Sequence, residues 1–311
     1  MSTLHGISDD TSARLTVQGL DAAWVADVIA RTVREDLDGG TDITSEATVP
    51  AGQRRVVSFG ARADGCVAGL DVAVAVVETV CGAENVTVQR FSADGERVTK
   101  GDVLLRVTAP TRSMLTAERT ALNLLCHLSG IATATSQWVD AVAGTGAVVR
   151  DTRKTTPMLR PLEKYGVRCG GGQNHRMSLS DAALVKDNHI AAAGGVREAF
   201  AAVRAHAAGV PIEIEVDTIE QLREAIDAGA DLVLLDNMPP VVLREAVEVA
   251  RAHRAATGRA VLLEASGGLT LANAHDVAST GVDFISVGAL THSSVVLDIG
   301  LDFDAVSTPA P

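Results

Sequence analysis

The spacing of apolar and polar positions divides the chain into two halves with different rhythms. In the first half, Ala, Val and Ile recur near helical spacing over residues 21–36 and predict an amphipathic helix, followed by a Gly/Asp/Thr-rich turn at 38–42. Residues 1–15 are polar and are expected to be irregular. Between 54 and 108, β-branched runs at 56–59, 86–88 and 103–107 surround a helical stretch at 72–80, and 95–102 reads as a hairpin connection. The clearest helix covers 113–128, where Met114, Ala121, Leu122, Leu124, Leu125 and Leu128 share one apolar arc and Gly130 is expected to end it. Glu118 falls inside that arc, where a carboxylate needs a partner, so an ion pair is expected there. Arg119 lies towards the polar side, free to reach into a cleft or towards another subunit.

The second half alternates short strand-like runs (147–151, 183–187, 212–216, 232–236, 261–265 and 284–288) with helical patterns such as 219–228, 240–255 and 271–280. That alternation means βα units and a parallel sheet. Polar residues gather where the runs end: Asp151 with Arg153 and Lys154, Lys186 and Asp187, Glu215, Asp236, Glu264 with Ser266, and Ser286 with Gly288. One strand-ending Asp is ordinarily a helix cap, but six coincident polar ends have the layout of a (β/α) barrel active site, which is favoured over a doubly wound sheet. No G-x-G-x-x-G follows the first run, so the dinucleotide fingerprint is absent.

Composition narrows the class. With 311 residues, 47% hydrophobic and only 3% aromatic, the core must be built from Ala, Val, Leu and Ile. The longest apolar stretch, about 66–83, carries Asp71 and Glu78 and is too polar to cross a bilayer. Four cysteines without a C-x-x-C pair fit a reducing cytoplasm. The net charge of −12 and the scarcity of aromatics argue against nucleic acid and anionic membranes as partners.

The charge is uneven. Residues 150–189 hold eight basic and four acidic residues, including three of the four lysines, interleaved with Gly170-Gly171-Gly172 and Asn174-His175-Arg176. Such poor helix material favours an anion-binding site over a solvated basic face. The Gly-rich connections Ser266-Gly267-Gly268 and Ser286-Val287-Gly288-Ala289 follow late strands, where backbone N–H groups commonly cradle phosphate. Glu215 and Asp236 would face the same mouth. They could hold Mg²⁺ with a pyrophosphate or stabilise a developing sugar cation. Arg153, Lys154, His175, Arg176 and Lys186 exceed what one phosphate requires, implying a second, polyanionic ligand such as carboxylates on a planar ring.

Several blocks together resemble the quinolinate phosphoribosyltransferases: Glu118-Arg119-Thr120-Ala121-Leu122-Asn123, Asp151-Thr152-Arg153-Lys154-Thr155-Thr156-Pro157, Gly170-Gly171-Gly172-Gln173-Asn174-His175-Arg176, Glu213-Ile214-Glu215-Val216, Leu235-Asp236-Asn237-Met238, and Glu264-Ala265-Ser266-Gly267-Gly268. The likeness runs over about 20–305. It implies an α/β fold of two parts: an N-terminal α/β sandwich (1–130, with the tail 291–311 returning to it) and an incomplete, about seven-stranded parallel β/α barrel (131–290) of the type II phosphoribosyltransferases. The implied activity is transfer from phosphoribosyl pyrophosphate to quinolinate with decarboxylation, giving nicotinate mononucleotide, pyrophosphate and CO₂ in de novo NAD synthesis. A homodimer with shared sites is implied as well. Carried over to this sequence, Lys154, Glu215 and Asp236 would be catalytic. Arg119 of a neighbouring subunit, Thr152, Arg153, His175, Arg176 and Lys186 would contact the substrates. Ser266, Gly267, Gly268, Val287, Gly288 and Ala289 would take phosphate with His292 nearby, and Glu215 and Asp236 would hold Mg²⁺ directly or through water.

Three positions depart from the family pattern: Met158 and Ser178 stand where glycine is usual, and Pro161 interrupts a helix-like stretch. They put loop geometry in question more than chemistry. Rival readings are a molybdenum-transport-associated relative, a nicotinate phosphoribosyltransferase that does not decarboxylate, and a non-catalytic barrel that binds an anionic metabolite.

Overall fold

The computed structural model describes residues 4–303, which form two compact units. The first comprises the chain up to Ala134, Pro161–Gly170, and the segment from Ser294 onward. It begins with α1 (Asp9–Val17), α2 (Ala22–Leu37) and α3 (Ile43–Thr48), then β1 (Arg54–Ala61) and β2 (Gly65–Cys66). After α4 (Leu70–Cys81) come β3 (Thr87–Arg90), β4 (Arg97–Val98) and β5 (Val103–Pro110), and α5 (Thr111–Ala141) leads out of the unit. The sheet is antiparallel in the order β12-β1-β5-β3, where β12 is Ile299–Phe303, and helices packed on it make the expected α/β sandwich. The returning tail thus supplies an edge strand; its residues 304–311 lie outside the described residues.

Helix α4 is apolar nearly all round and buried throughout except at Val80, as befits a helix covered on every side. Its two acids are satisfied. Asp71 pairs with Arg90 at 2.6 Å and accepts from Gln18 at 2.9 Å. Glu78 accepts from the Ser8 N–H, the Ser8 hydroxyl and the Thr11 hydroxyl at 2.9–3.0 Å. Those bonds correct the expectation of an irregular start, because Ser8 is the N-cap of α1 and Glu78 holds both of them in place.

Helix α5 corrects a second expectation: it runs for 31 residues straight through Gly130. A Cβ at Gly130 would lie 2.3 Å from the Val295 carbonyl oxygen, so glycine is there to let the returning tail cross the helix, not to end it. Glu118, half-buried on α5, makes no ion pair among the described residues, contrary to expectation.

The second unit comprises Thr135–Arg160 and Gly171–Ser293. Its strands are β6 (Val148–Arg150), β7 (Ala183–Val185), β8 (Ile212–Val216), β9 (Leu232–Asp236), β10 (Leu262–Ser266) and β11 (Phe284–Ser286), all parallel, in the order β6-β11-β10-β9-β8-β7. That is sequence order closed into a ring and cut between β6 and β7, the topology of an incomplete barrel. The expected seventh strand is reduced to one residue, Gln173, bridged in parallel to Arg150 beside the cut. Helix α6 (Arg160–Cys169) lies almost wholly in the first unit, and Pro161 is its second residue, where a missing N–H costs nothing. Pro161 therefore starts this helix instead of interrupting it. Helices α7 (Asp187–Ala193), α8 (Val196–His206), α9 (Ile219–Ala228), α10 (Pro240–Thr257), α11 (Leu271–Ala278) and the short α12 (Ala289–His292) complete the unit.

Replacing Glu78 by alanine removes three acceptor contacts from a buried site and is expected to cost about 2 kcal/mol. Urea unfolding reads the loss, and limited proteolysis should cut within residues 4–17 first. A variant as stable and as resistant as the parent would contradict the anchoring role.

Candidate active site

Strand register assembles the rim of the barrel. Asp236 on β9 stands opposite Ser266 on β10, Ser266 opposite Ser286 on β11, and Ser286 opposite Arg150 on β6. One layer down, Glu215 on β8, Leu234 and Glu264 are likewise aligned. The helix caps come from elsewhere: Thr218 accepts the Gln221 N–H at the start of α9, and Thr270 the Asn273 N–H at the start of α11. Glu215, Asp236 and Glu264 are therefore not consumed as caps and line a cleft of ≈ 670 Å³, whereas Asp151 is buried and accepts from Asn174 and the His175 N–H.

Every sequence-predicted residue of the second unit lines this cleft: Thr152, Arg153, Lys154, His175, Arg176, Lys186, Glu215, Asp236, residues 266–268 and 287–289, and His292. Arg119 does not. It is exposed on α5, in the first unit. Sequence reasoning missed Asn237, Glu264 as a floor residue, and an apolar lining of Leu184, Leu234 and Leu269. The signal for Asn237 was present, since it follows the strand-ending Asp236 and precedes Met238-Pro239-Pro240.

The basic stretch seen in the sequence separates into distinct jobs. Arg150 is paired with Glu264 at 2.6 Å and stacks on Phe284. Arg160 donates to the Thr155 hydroxyl and the Met177 carbonyl, and Arg168 to the Gln18 carbonyl. Lys164 is wholly buried. Four cations are left in the cleft. Lys186 pairs with Glu215, and Arg176 also donates to the Ala182 carbonyl at 3.0 Å. Burial, and then the nearby Arg153, lower the Arg176 pKa from its ordinary value. The Arg153 Nε is buried with no hydrogen-bond partner, and Lys154 presents its ammonium exposed. Lys154 is placed through its backbone: its N–H donates to the Thr152 hydroxyl, and its carbonyl accepts from the Thr291 hydroxyl at 2.8 Å. Gly288 permits this packing, because a Cβ there would stand 3.0 Å from the Lys154 side chain and 3.3 Å from His292.

His175 lines the cleft and is buried. Its Nδ1 accepts the Arg176 N–H at 2.7 Å, which fixes the orientation of the ring. Nε2 lies 2.7 Å from Glu213 and 3.6 Å from Glu264. The ligand atoms of these three buried residues lie within 4.8 Å of one another, a spacing that would suit a metal ion. The trio is a buried polar cluster at the cleft.

The two glycine loops fit anion binding. Gly267 and Gly268 have φ of 87° and 62°, a left-handed path that a side chain disfavours. Of the departures, Met158 is exposed and adopts φ 69°, the conformation for which glycine is suited. Ser178 closes its loop with its own hydroxyl, which accepts from the Ser180 and Asp181 N–H groups. Partial burial raises the pKa of Asp181, but N–H bonds from Met177 and Ser178 outweigh it and hold the carboxyl below its usual range.

Burial pushes the Glu264 carboxyl up, Glu213 pushes it further, and Arg150 and His175 pull it back only in part. A carboxyl whose pKa rises on folding contributes stability that is fully present below the unfolded pKa and is lost as pH rises through the folded one. Glu264→Gln should therefore gain stability relative to the parent as pH is raised from 4 to neutrality, read by urea unfolding across that range. Parallel stability profiles for the two proteins would contradict it.

Comparison with known proteins agrees with this geometry. Residues 42–129 match the N-terminal domain, and 131–302 the C-terminal domain, of quinolinate phosphoribosyl transferase. The carboxylating nicotinate-nucleotide pyrophosphorylase of Mycobacterium leprae is 54% identical over 276 residues, covering 89% of this chain and 96% of that one. The crystal structure of the nicotinate-nucleotide pyrophosphorylase from Francisella tularensis superposes with a TM-score of 0.84 at 35% identity, covering 91% and 96% of the two chains. Human nicotinic acid phosphoribosyltransferase, at 14% identity and a TM-score of 0.60, shares the fold alone. With both domains matched in order and relatives similar over nearly their full length, the chain belongs to the quinolinate phosphoribosyltransferase family.

Proposed function

We propose that the chain transfers the phosphoribosyl group of phosphoribosyl pyrophosphate to quinolinate and releases CO₂, forming nicotinate mononucleotide. The observation that carries this reading is Arg153, whose buried Nε has no protein partner while it lines a cleft with three further cations. A buried donor of this kind is matched by an anionic ligand. The apolar lining of Leu184, Leu234 and Leu269 suits the faces of an aromatic ring, and a dicarboxylate suits the cations around it.

In this reading the 5′-phosphate lies against the glycine loops at 266–268 and 287–289, and Glu215 and Asp236 face the ribose. The C1′–oxygen bond breaks with its electron pair leaving on pyrophosphate, and the ring nitrogen of quinolinate forms the new bond to C1′. Glu215 and Asp236 favour the cationic sugar carbon, while Lys154 and Lys186 favour the departing charge. The alkylated ring nitrogen is then positive. The bond from the adjacent carbon to its carboxylate breaks, the electron pair stays on carbon beside that nitrogen, and a proton from solvent replaces CO₂. Arg153, Arg176 and Lys154 orient the carboxylates for this step, which needs no separate base.

Mg²⁺ fits the donor set. Asp236 directs a carboxylate into the cleft, and Glu215, although paired with Lys186, adds a second; Mg²⁺ is ordinarily held by one or two carboxylates, waters and substrate phosphates. When bound, it would neutralise pyrophosphate charge. Among the described residues no helix is long and apolar enough to cross a membrane, and all four cysteines are free thiols, which supports a reducing cytoplasm.

The exposed position of Arg119, which is not among the residues lining the cleft, supports a homodimer in which Arg119 completes the partner's site. Arg119→Ala and Lys154→Ala should each lower turnover by orders of magnitude without lowering the melting temperature. Mixing the two inactive variants after subunit exchange should restore about a quarter of parental activity, since half of the dimers would carry one intact site. No recovery on mixing would overturn the shared site, and near-normal turnover of Lys154→Ala would overturn its assigned role.

A further inference from the structure

The contacts of Asn237 join two elements of the cleft that the chemistry keeps separate. It follows Asp236 at the end of β9 with φ 53°, a left-handed conformation that Asn tolerates better than most side chains. Its main-chain N–H donates to the Ser266 carbonyl at 2.8 Å, fixing the residue from which the glycine loop departs. Its side-chain amide turns back and donates to Asp236 Oδ2, also at 2.8 Å. The same amide fills the space beside the loop, since a Cβ on Gly267 would lie 2.2 Å from Asn237 Oδ1. Gly267 is thus glycine for two reasons: its φ of 87° and the amide standing where its side chain would be.

These contacts are not accounted for by fold stability. Asn237 is exposed and lines the cleft, and the strand ladder would end as well with any residue that donates its N–H. What only the amide supplies is a fixed relation between the Asp236 carboxylate and the loop at 266–268. If the amide is lost, Asp236 can rotate and the loop can sag into the vacated space.

We propose that Asn237 is a positioning residue, which couples the Asp236 carboxylate to the 266–268 loop and so holds the ribose end and the phosphate end of one phosphoribosyl donor at a fixed span. The proposal rests on the reading that Asp236 faces the ribose and the loop takes the phosphate. Conformational freedom in either element would have to be removed at the moment of binding, which weakens binding of the donor. Quinolinate, held by the arginines, would be affected little.

The test is calorimetric titration of phosphoribosyl pyrophosphate with Mg²⁺, and separately of quinolinate, against the parent, Asn237→Gly and Asp236→Ala. Glycine accepts the left-handed backbone, so Asn237→Gly removes the amide without adding strain, and its melting temperature checks that the fold survives. Asn237→Gly should bind phosphoribosyl pyrophosphate roughly ten- to a hundredfold more weakly. Its quinolinate affinity should stay that of the parent. Parental affinity for phosphoribosyl pyrophosphate in Asn237→Gly, with weakened binding in Asp236→Ala, would overturn the coupling alone. Equal loss for both ligands would also overturn it, since that marks general loosening of the cleft. Parental affinity in both variants would overturn the placement of the donor as well.

Discussion

The arrangement depends on keeping Arg153 out of an ion pair in a chain that carries a large excess of acids. With a net charge of −12, the simplest outcome for any buried arginine is an ion pair, and Arg150 takes it with Glu264. Arg153, a few residues on, does not: its buried Nε has no hydrogen-bond partner among the described residues. Glu264 holds Arg150, and Glu213 lies 2.7 Å from His175. An unpaired guanidinium half-buried in a cleft is unfavourable until an anion arrives, so the ligand supplies the missing partner. The same field draws anions towards one mouth of a protein that repels them elsewhere.

Close approach, made possible by glycine, is the second constraint. At Gly130 the returning tail crosses α5, and this crossing delivers β12 to the edge of the first sheet. At Gly288 the missing side chain leaves room for Lys154 and His292 to meet, and at Gly267 it leaves room for the Asn237 amide. In each case the partner that explains the glycine is distant in sequence.

That distance also explains what could and could not be read from the sequence. The six barrel strands and the helices α2 and α4 were legible within a few residues, because their apolar periods are local properties. Helix α1 was not, since its polar sequence is ordered by Glu78, some seventy residues away. Gly130 looked like a helix end because nothing near it announces Val295. The site was legible because its charged residues sit at strand ends, where topology collects them. The orientation of the His175 ring was not legible, for it turns on one hydrogen bond from the next residue's N–H. The basic stretch overstated the cleft's charge for a similar reason: residue type does not say which cations are committed to structural partners. Pro161 misled in the opposite way, as a helix breaker that sits where helices begin.

The central claim is that the cations of the cleft select a dicarboxylate and that its loss of CO₂ belongs to the same turnover. It is tested most directly by incubating the protein with phosphoribosyl pyrophosphate and Mg²⁺, offering quinolinate or nicotinate in parallel, and following nicotinate mononucleotide and CO₂. The account predicts both products in equal amounts from quinolinate and none from nicotinate. Nicotinate mononucleotide from nicotinate without CO₂, or no product from either acid in a folded protein that binds them, would contradict it.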